Sequence, residues 1–160
     1  MNFGLTTAWQ WIWKCAKPWI AVFAAIWISL GFNALPASAA ITLLPAPETA
    51  RVYIISPADQ QTVPETFAVK FGLVGMGIAP AGIDKAGTGH HHLLIDVDEL
   101  PDLKEPLAAT ANIKHFGGGQ TETTLSLPPG EHTLQLLLGN YTHVPHDHPV
   151  LSEKIAITVQ

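Results

Sequence analysis

From Arg51 onward the chain is written in short runs that alternate apolar with polar or small residues, punctuated by Gly and Pro, with no long apolar stripe of period 3.6. Alternation of period two turns one face of a run toward a core and the other toward water, which is how a strand reads. The runs are Arg51 to Ile55, stopped by Ser56-Pro57, then Thr66 to Val74, His91 to Val97, Thr121 to Leu127, His132 to Leu138, and a last one carrying Ile155, Ile157 and Val159. Six such strands predict an all-β fold, a single antiparallel β-sandwich of immunoglobulin-like type, with a small barrel as the alternative. Its core is expected from Phe67, Val69, Phe71, Leu93, Ile95, Leu134, Leu136, Ile155 and Ile157. Pro128-Pro129-Gly130 has Pro and Gly where a type II turn needs them and predicts a hairpin between the runs it joins. Six glycines between Gly72 and Gly89 mark a long loop, and residues 98–114, with Pro101 and Pro106, read as an irregular or partly helical crossover.

The first forty residues have a different chemistry. All five Trp and the single Cys lie within the first 27 residues; Lys14 and Lys17 precede an uncharged apolar run from Trp19 to Leu35, and Ala37-Ser38-Ala39 follows. Small residues at that spacing after a short apolar run are what a signal peptidase reads, so residues 1–39 are expected to be a secretory signal peptide. An uncleaved anchor is the competing reading, since the run approaches the ~17 residues that span a bilayer. Cleavage would leave a leader over residues 40–50, a domain over residues 51–160, no stable membrane span, and a periplasmic or extracellular location.

Charge and cysteine content remove whole classes of function. Residues 41–160 carry six Lys or Arg against thirteen Asp or Glu, a formal charge of -7 with neutral His. No nucleic-acid partner is expected of such a surface. With no Cys after position 15 the domain has no intradomain disulfide, thiolate copper centre, Cys-based zinc finger or iron–sulfur cluster. No Gly-x-Ser-x-Gly elbow or His-Glu-x-x-His pair occurs, and Asp96 and Asp98 read as adjacent surface carboxylates rather than an acid/base pair. Asn140-Tyr141-Thr142 matches a glycosylation acceptor by chance.

What remains is histidine: all eight lie between His90 and His148. On a strand, His90, His92, Leu94 and Asp96 share one face, with successive positions about 6.6 Å apart, so two imidazoles can converge on one ion. Asp96 is placed to orient a ligand, while His91 points the other way with Leu93 and Ile95 and reads as a hydrogen-bonded core or boundary residue. His115 opens a Gly117-Gly118-Gly119 turn that lets the backbone bend and bring His115 and Gln120 toward another loop; it lacks the Lys-Ser/Thr ending of a phosphate loop. His143, His146 and His148 sit in a loop stiffened by Pro145 and Pro149. His132, entering a strand after the turn, reads as a structural, hydrogen-bonded residue. The expected ligand set is His90, His92, His115, His143 and His146, supported by Asp96, Gln120 and His148, for one Cu(II) or Zn(II), because imidazole suits such ions. The other reading is an envelope binding or structural module whose histidines only hydrogen-bond within loops. A metal-dependent enzyme would need an acid or base beside an open coordination position, and no residue clearly supplies it. No protein partner is indicated.

Three motifs resemble a family of bacterial exported proteins, the domain of unknown function DUF4399: Gly89-His90-His91-His92-Leu93-Leu94-Ile95-Asp96, His115-Phe116-Gly117-Gly118-Gly119-Gln120-Thr121-Glu122, and Pro129-Gly130-Glu131-His132-Thr133-Leu134-Gln135-Leu136 continuing through His143-Val144-Pro145-His146. The resemblance covers about residues 88–159 and implies a periplasmic or envelope domain, without an activity. His148 departs from the pattern, which runs directly into prolines at that point.

Overall fold

The computed structural model describes residue 41 and residues 43–160, so the expected signal peptide lies outside the described residues. Nine strands follow in order: β1 (Arg51–Ser56), β2 (Gln61–Val63), β3 (Thr66–Val74), β4 (Gly77–Ile78), β5 (Thr88–Ile95), β6 (Ile113–His115), β7 (Glu122–Ser126), β8 (Gly130–Gly139) and β9 (Ile155–Val159). The described residues contain no helix, and the all-β expectation holds. One sheet has three strands in the order β1-β3-β7; the other has six, in the order β2-β9-β8-β5-β4, with β6 also on β5.

The two sheets share one apolar core, and alternation explains it. Phe67, Val69 and Phe71 of β3 and Leu125 of β7 face Leu93 and Ile95 of β5, Leu134, Leu136 and Leu138 of β8, and Ile157 and Val159 of β9. Of the nine expected core residues eight are buried there, and Ile155 is partly buried against it. β5 and the second half of β8 are buried on both faces, because the crossover lays Leu107 and Leu103 over Leu94 and Leu137 in a second cluster. That double burial is why both strands read as nearly continuous apolar or histidine runs.

Three expectations need correction. The sheets are not wholly antiparallel: β2 pairs β9 and β4 pairs β5 in parallel, which makes the six-stranded sheet mixed. Both added strands are two or three residues long, one inside the glycine-rich loop, too short to show a period. The Pro128-Pro129-Gly130 turn does not close a hairpin, since β7 pairs β3 while β8 pairs β5 and β9. Leu125 and Leu134 meet across the core from opposite sheets, an arrangement alternation cannot distinguish from a hairpin, because it fixes the buried face and not the partner. The crossover has no helical part; it is irregular until β6, where Ile113 to His115 pair with Leu94 to His92.

Candidate metal centre

The outer face of β5 carries His90 and His92, one strand repeat apart, with ring centroids 4.9 Å from each other. β6 lies antiparallel beside β5 and places His115 directly opposite His92. On the other side β8 ends with Gly139 opposite His90, and the chain turns over this pair. Asn140 fixes that turn: its Oδ1 accepts from the Thr142 and Val144 backbone N–H groups and the Thr142 hydroxyl, and its carbonyl accepts from His143 N–H. His143 therefore sits in the left-handed region, at φ 70°, and its carbonyl is tied to Leu107 N–H.

Two glycines make room for the rings. A Cβ on Gly139 would lie 2.7 Å from Cε1 of His92, and one on Gly117 would overlap the His115 ring. Only a residue without a side chain lets the backbone approach an imidazole so closely.

His90, His92, His115 and His143 each offer a nitrogen, and these four atoms lie within 4.8 Å of one another. Nε2 of His90 and Nδ1 of His143 are 3.2 Å apart. Four nitrogens around a tetrahedral ion at 2.0–2.1 Å are about 3.3 Å apart, so this edge is already at coordination length and the others lie within 4.8 Å.

Burial keeps the two inner rings, His90 and His92, neutral. His90 and His92 have no solvent exposure. Desolvation, followed by the neighbouring imidazoles His115 and His143, brings the pKa of His90 down to about 4; desolvation, followed by His90, brings that of His92 down to about 3. His115, which reaches solvent, is lowered as well, by partial burial first and His143 second. Neutral imidazoles keep a lone pair for a metal. The hydrogen bonding is incomplete: Nδ1 of His90 and both ring nitrogens of His92 are buried without a partner. Each such atom costs about 1–3 kcal/mol unless something meets it.

The other expected site residues lie elsewhere. His146 is buried but does not join the four; its ring lines a small pocket of about 110 Å³ with Leu44, Pro45 and Thr88. Asp96 accepts from His132 Nδ1–H at 2.7 Å and Thr133 N–H at 2.8 Å, and so orients His132 rather than a member of the cluster. Gln120 accepts from Gly118 N–H and holds the glycine turn, while exposed His148 touches Asp147 through its backbone. His91 packs on Phe71 on the core side, as the alternation predicts, but both its ring nitrogens are buried without a partner, so the expected hydrogen-bonded role is not what the structure gives it. The residues that sequence reading missed are Gly139 and Asn140, which set the positions of His92 and His143. The adjacent Gly-Asn pair at a strand end was the available signal. Asn140, the apparent glycosylation acceptor, is buried with its side chain occupied in the turn.

The fold and this cluster define a class: an all-β domain with four converging imidazoles, two buried and two reaching toward the surface. The chain belongs to the DUF4399 family, whose model, described as Domain of unknown function (DUF4399), matches residues 69–160 and so spans all four histidines. A search of curated proteins found no match. Among solved structures, the X-ray structure of the endo-beta-1,4-mannanase from Thermotoga petrophila is similar at 20% identity and a TM-score of 0.40. That similarity covers 69% of this chain and 20% of that one, so the chain spans about a fifth of the enzyme's length.

Proposed function

We propose that this protein is an exported module of the periplasm or extracellular space that binds one divalent transition ion, Cu(II) or Zn(II), through His90, His92, His115 and His143. The observation that carries the reading is the convergence of four imidazole nitrogens, drawn from three separate segments, within 4.8 Å of one another. Hydrogen bonding within loops does not call for four ring nitrogens from three segments to converge. An ion engages one nitrogen on each ring at once and supplies a positive charge or Lewis acidity that neutral side chains lack. Two sheets on one core support the finer fold reading, an immunoglobulin-like β-sandwich over residues 51–160. Export rests on the sequence of residues 1–39; an N-terminus at Ala40 in protein isolated from its host would support it, and an intact Met1 or Asn2 start in the membrane fraction would overturn it. A domain charge of -7 and removal of the apolar run argue against a nucleic-acid partner and a membrane span.

Calorimetric titration of metal-stripped, tag-free protein tests the metal reading. One ion per chain is expected, with affinity reduced at least a hundredfold in the double variant His115→Ala/His143→Ala. Both residues lie toward the surface, so circular dichroism should show the fold retained. No specific binding, or equal affinity in the variant, refutes the proposal.

A further inference from the structure

We propose that the metal centre, if the preceding reading of it holds, takes a small monoanion from solution as a fifth ligand on its His115/His143 side, the four-imidazole shell expanding from four- to five-coordinate to admit it. All four donors are neutral imidazoles, so a divalent ion bound by them keeps its full double charge. A thiolate or carboxylate donor would cancel part of it, but this donor set contains neither. Every Asp and Glu of the chain falls among the described residues, and none enters the cluster. Asp96 is engaged by His132 and Thr133, and Asp147 by the Ala46 and His148 backbone. The nearest residue in sequence with a charge, Lys114, is itself a cation. A dication left uncompensated beside groups removed from water is unfavourable, and an anion in direct contact offsets that charge.

Access decides where that anion enters. His90 and His92 close the inner side, being fully buried, whereas His115 is exposed and His143 partly so. The rim around the two outer rings is built from backbone and very small residues: Ala81 N–H donates to the Gly117 carbonyl at 2.8 Å, and Gly82 N–H to the Tyr141 carbonyl at 2.9 Å. Gly117 packs directly on the His115 ring, and a Cβ placed there would come within 3.3 Å of the Ala81 methyl. These bonds tie three segments into a collar beside the two outer rings, and the residues they join, Ala81, Gly82, Gly117 and Tyr141, carry no acidic side chain. Such a collar admits an anion of a few atoms, the class of azide, formate and chloride, and hinders a bulky tetrahedral one.

The test uses the tag-free full chain loaded with Co(II), whose visible ligand-field absorption reports its coordination. Sodium azide and sodium formate should each shift the spectrum saturably, with sodium sulfate at equal ionic strength at least tenfold less effective. A cobalt spectrum indifferent to azide and formate shows that metal binds but the position is closed, and overturns this inference alone. A sulfate response equal to that of azide overturns the collar's selection by size. Absence of any bound-cobalt spectrum overturns the metal reading and this inference with it.

Discussion

Gly139→Ala adds one methyl group at the point where β8 touches the cluster. Its Cβ would lie 2.7 Å from Cε1 and 3.1 Å from Nδ1 of His92, with the His143 carbonyl carbon at 3.4 Å on another side. Ordinary contact begins near 3.4 Å, so the His92 ring must retreat by about 0.7 Å. Gly139 has no left-handed φ, and alanine meets no backbone strain there. The unfolded chain loses some freedom, a gain of about 0.4–1 kcal/mol. Overpacking costs about 1–3 kcal/mol, so the net loss is about 1 kcal/mol and the melting temperature falls by a few degrees. Metal affinity responds far more, because a coordination bond tolerates only about 0.2 Å and His92 moves by several times that. Loss of one well-placed donor of four is expected to weaken binding about 10- to 100-fold. Calorimetry with Zn(II), thermal melts and imidazole NMR together measure this. Gly77→Ala is the control, since its nearest neighbour, the Thr88 methyl, is at 3.5 Å. Unchanged zinc affinity in Gly139→Ala, with His92 resonances unmoved, would refute the argument that this glycine positions the ring.

Acid should unfold the metal-free protein. Burial lowers His90 and His91 to about 4 and His92 to about 3, against the ordinary 6.5, so the unfolded chain takes up protons first. Stability is complete above pH 6.5 and falls as pH drops toward 4; at pH 5.5 each ring costs about 1.4 kcal/mol, or about 4 kcal/mol for the three. A melting temperature that is flat between pH 7 and 5 would contradict this. His132 has the opposite sign: its bond to Asp96 raises its pKa over the opposing effect of burial, aided by the Pro128 carbonyl, so its contribution is present below pH 6.5 and lost as pH rises through the raised value. Asp96→Asn should return the His132 titration, followed by NMR, toward the ordinary value; an unaltered titration would show that Asp96 does not control it. Leu136→Ala, at a position with no exposure, should cost about 2–5 kcal/mol in denaturant melts, and a loss below 1 kcal/mol would mean that the shared core was misread.

Period-two patterning made the long strands legible because each has one face in the shared core: β3 and β9 coincide with their sequence-read runs. β2, β4 and β6 escaped because two or three residues carry no period, and their pairing is decided by what β5 and β9 leave open. At the site, His90, His92, His115 and His143 were readable as a set, since strand spacing and loop position both favour convergence. Proximity to His143 in sequence groups His146 with them, yet an Asn140-centred turn that reverses the chain sends the two rings to different places. Strand spacing places Asp96 to orient a ligand, but β8 brings His132 within its reach instead. Those outcomes depend on which strands become neighbours, information that alternation along one strand does not contain.

The cluster gathers rings from β5, β6 and the loop after β8, and His90 and His143 are 53 residues apart along the chain. Contacts between such distant segments form only after the intervening chain has been ordered, so no isolated hairpin or fragment can display the four rings together. An ion held there ties three separate stretches at one point, a restraint of the kind a cysteine-free domain cannot obtain from sulfur. It would grip the finished fold and ignore the open chain, so that adding or withdrawing metal moves the folding equilibrium itself.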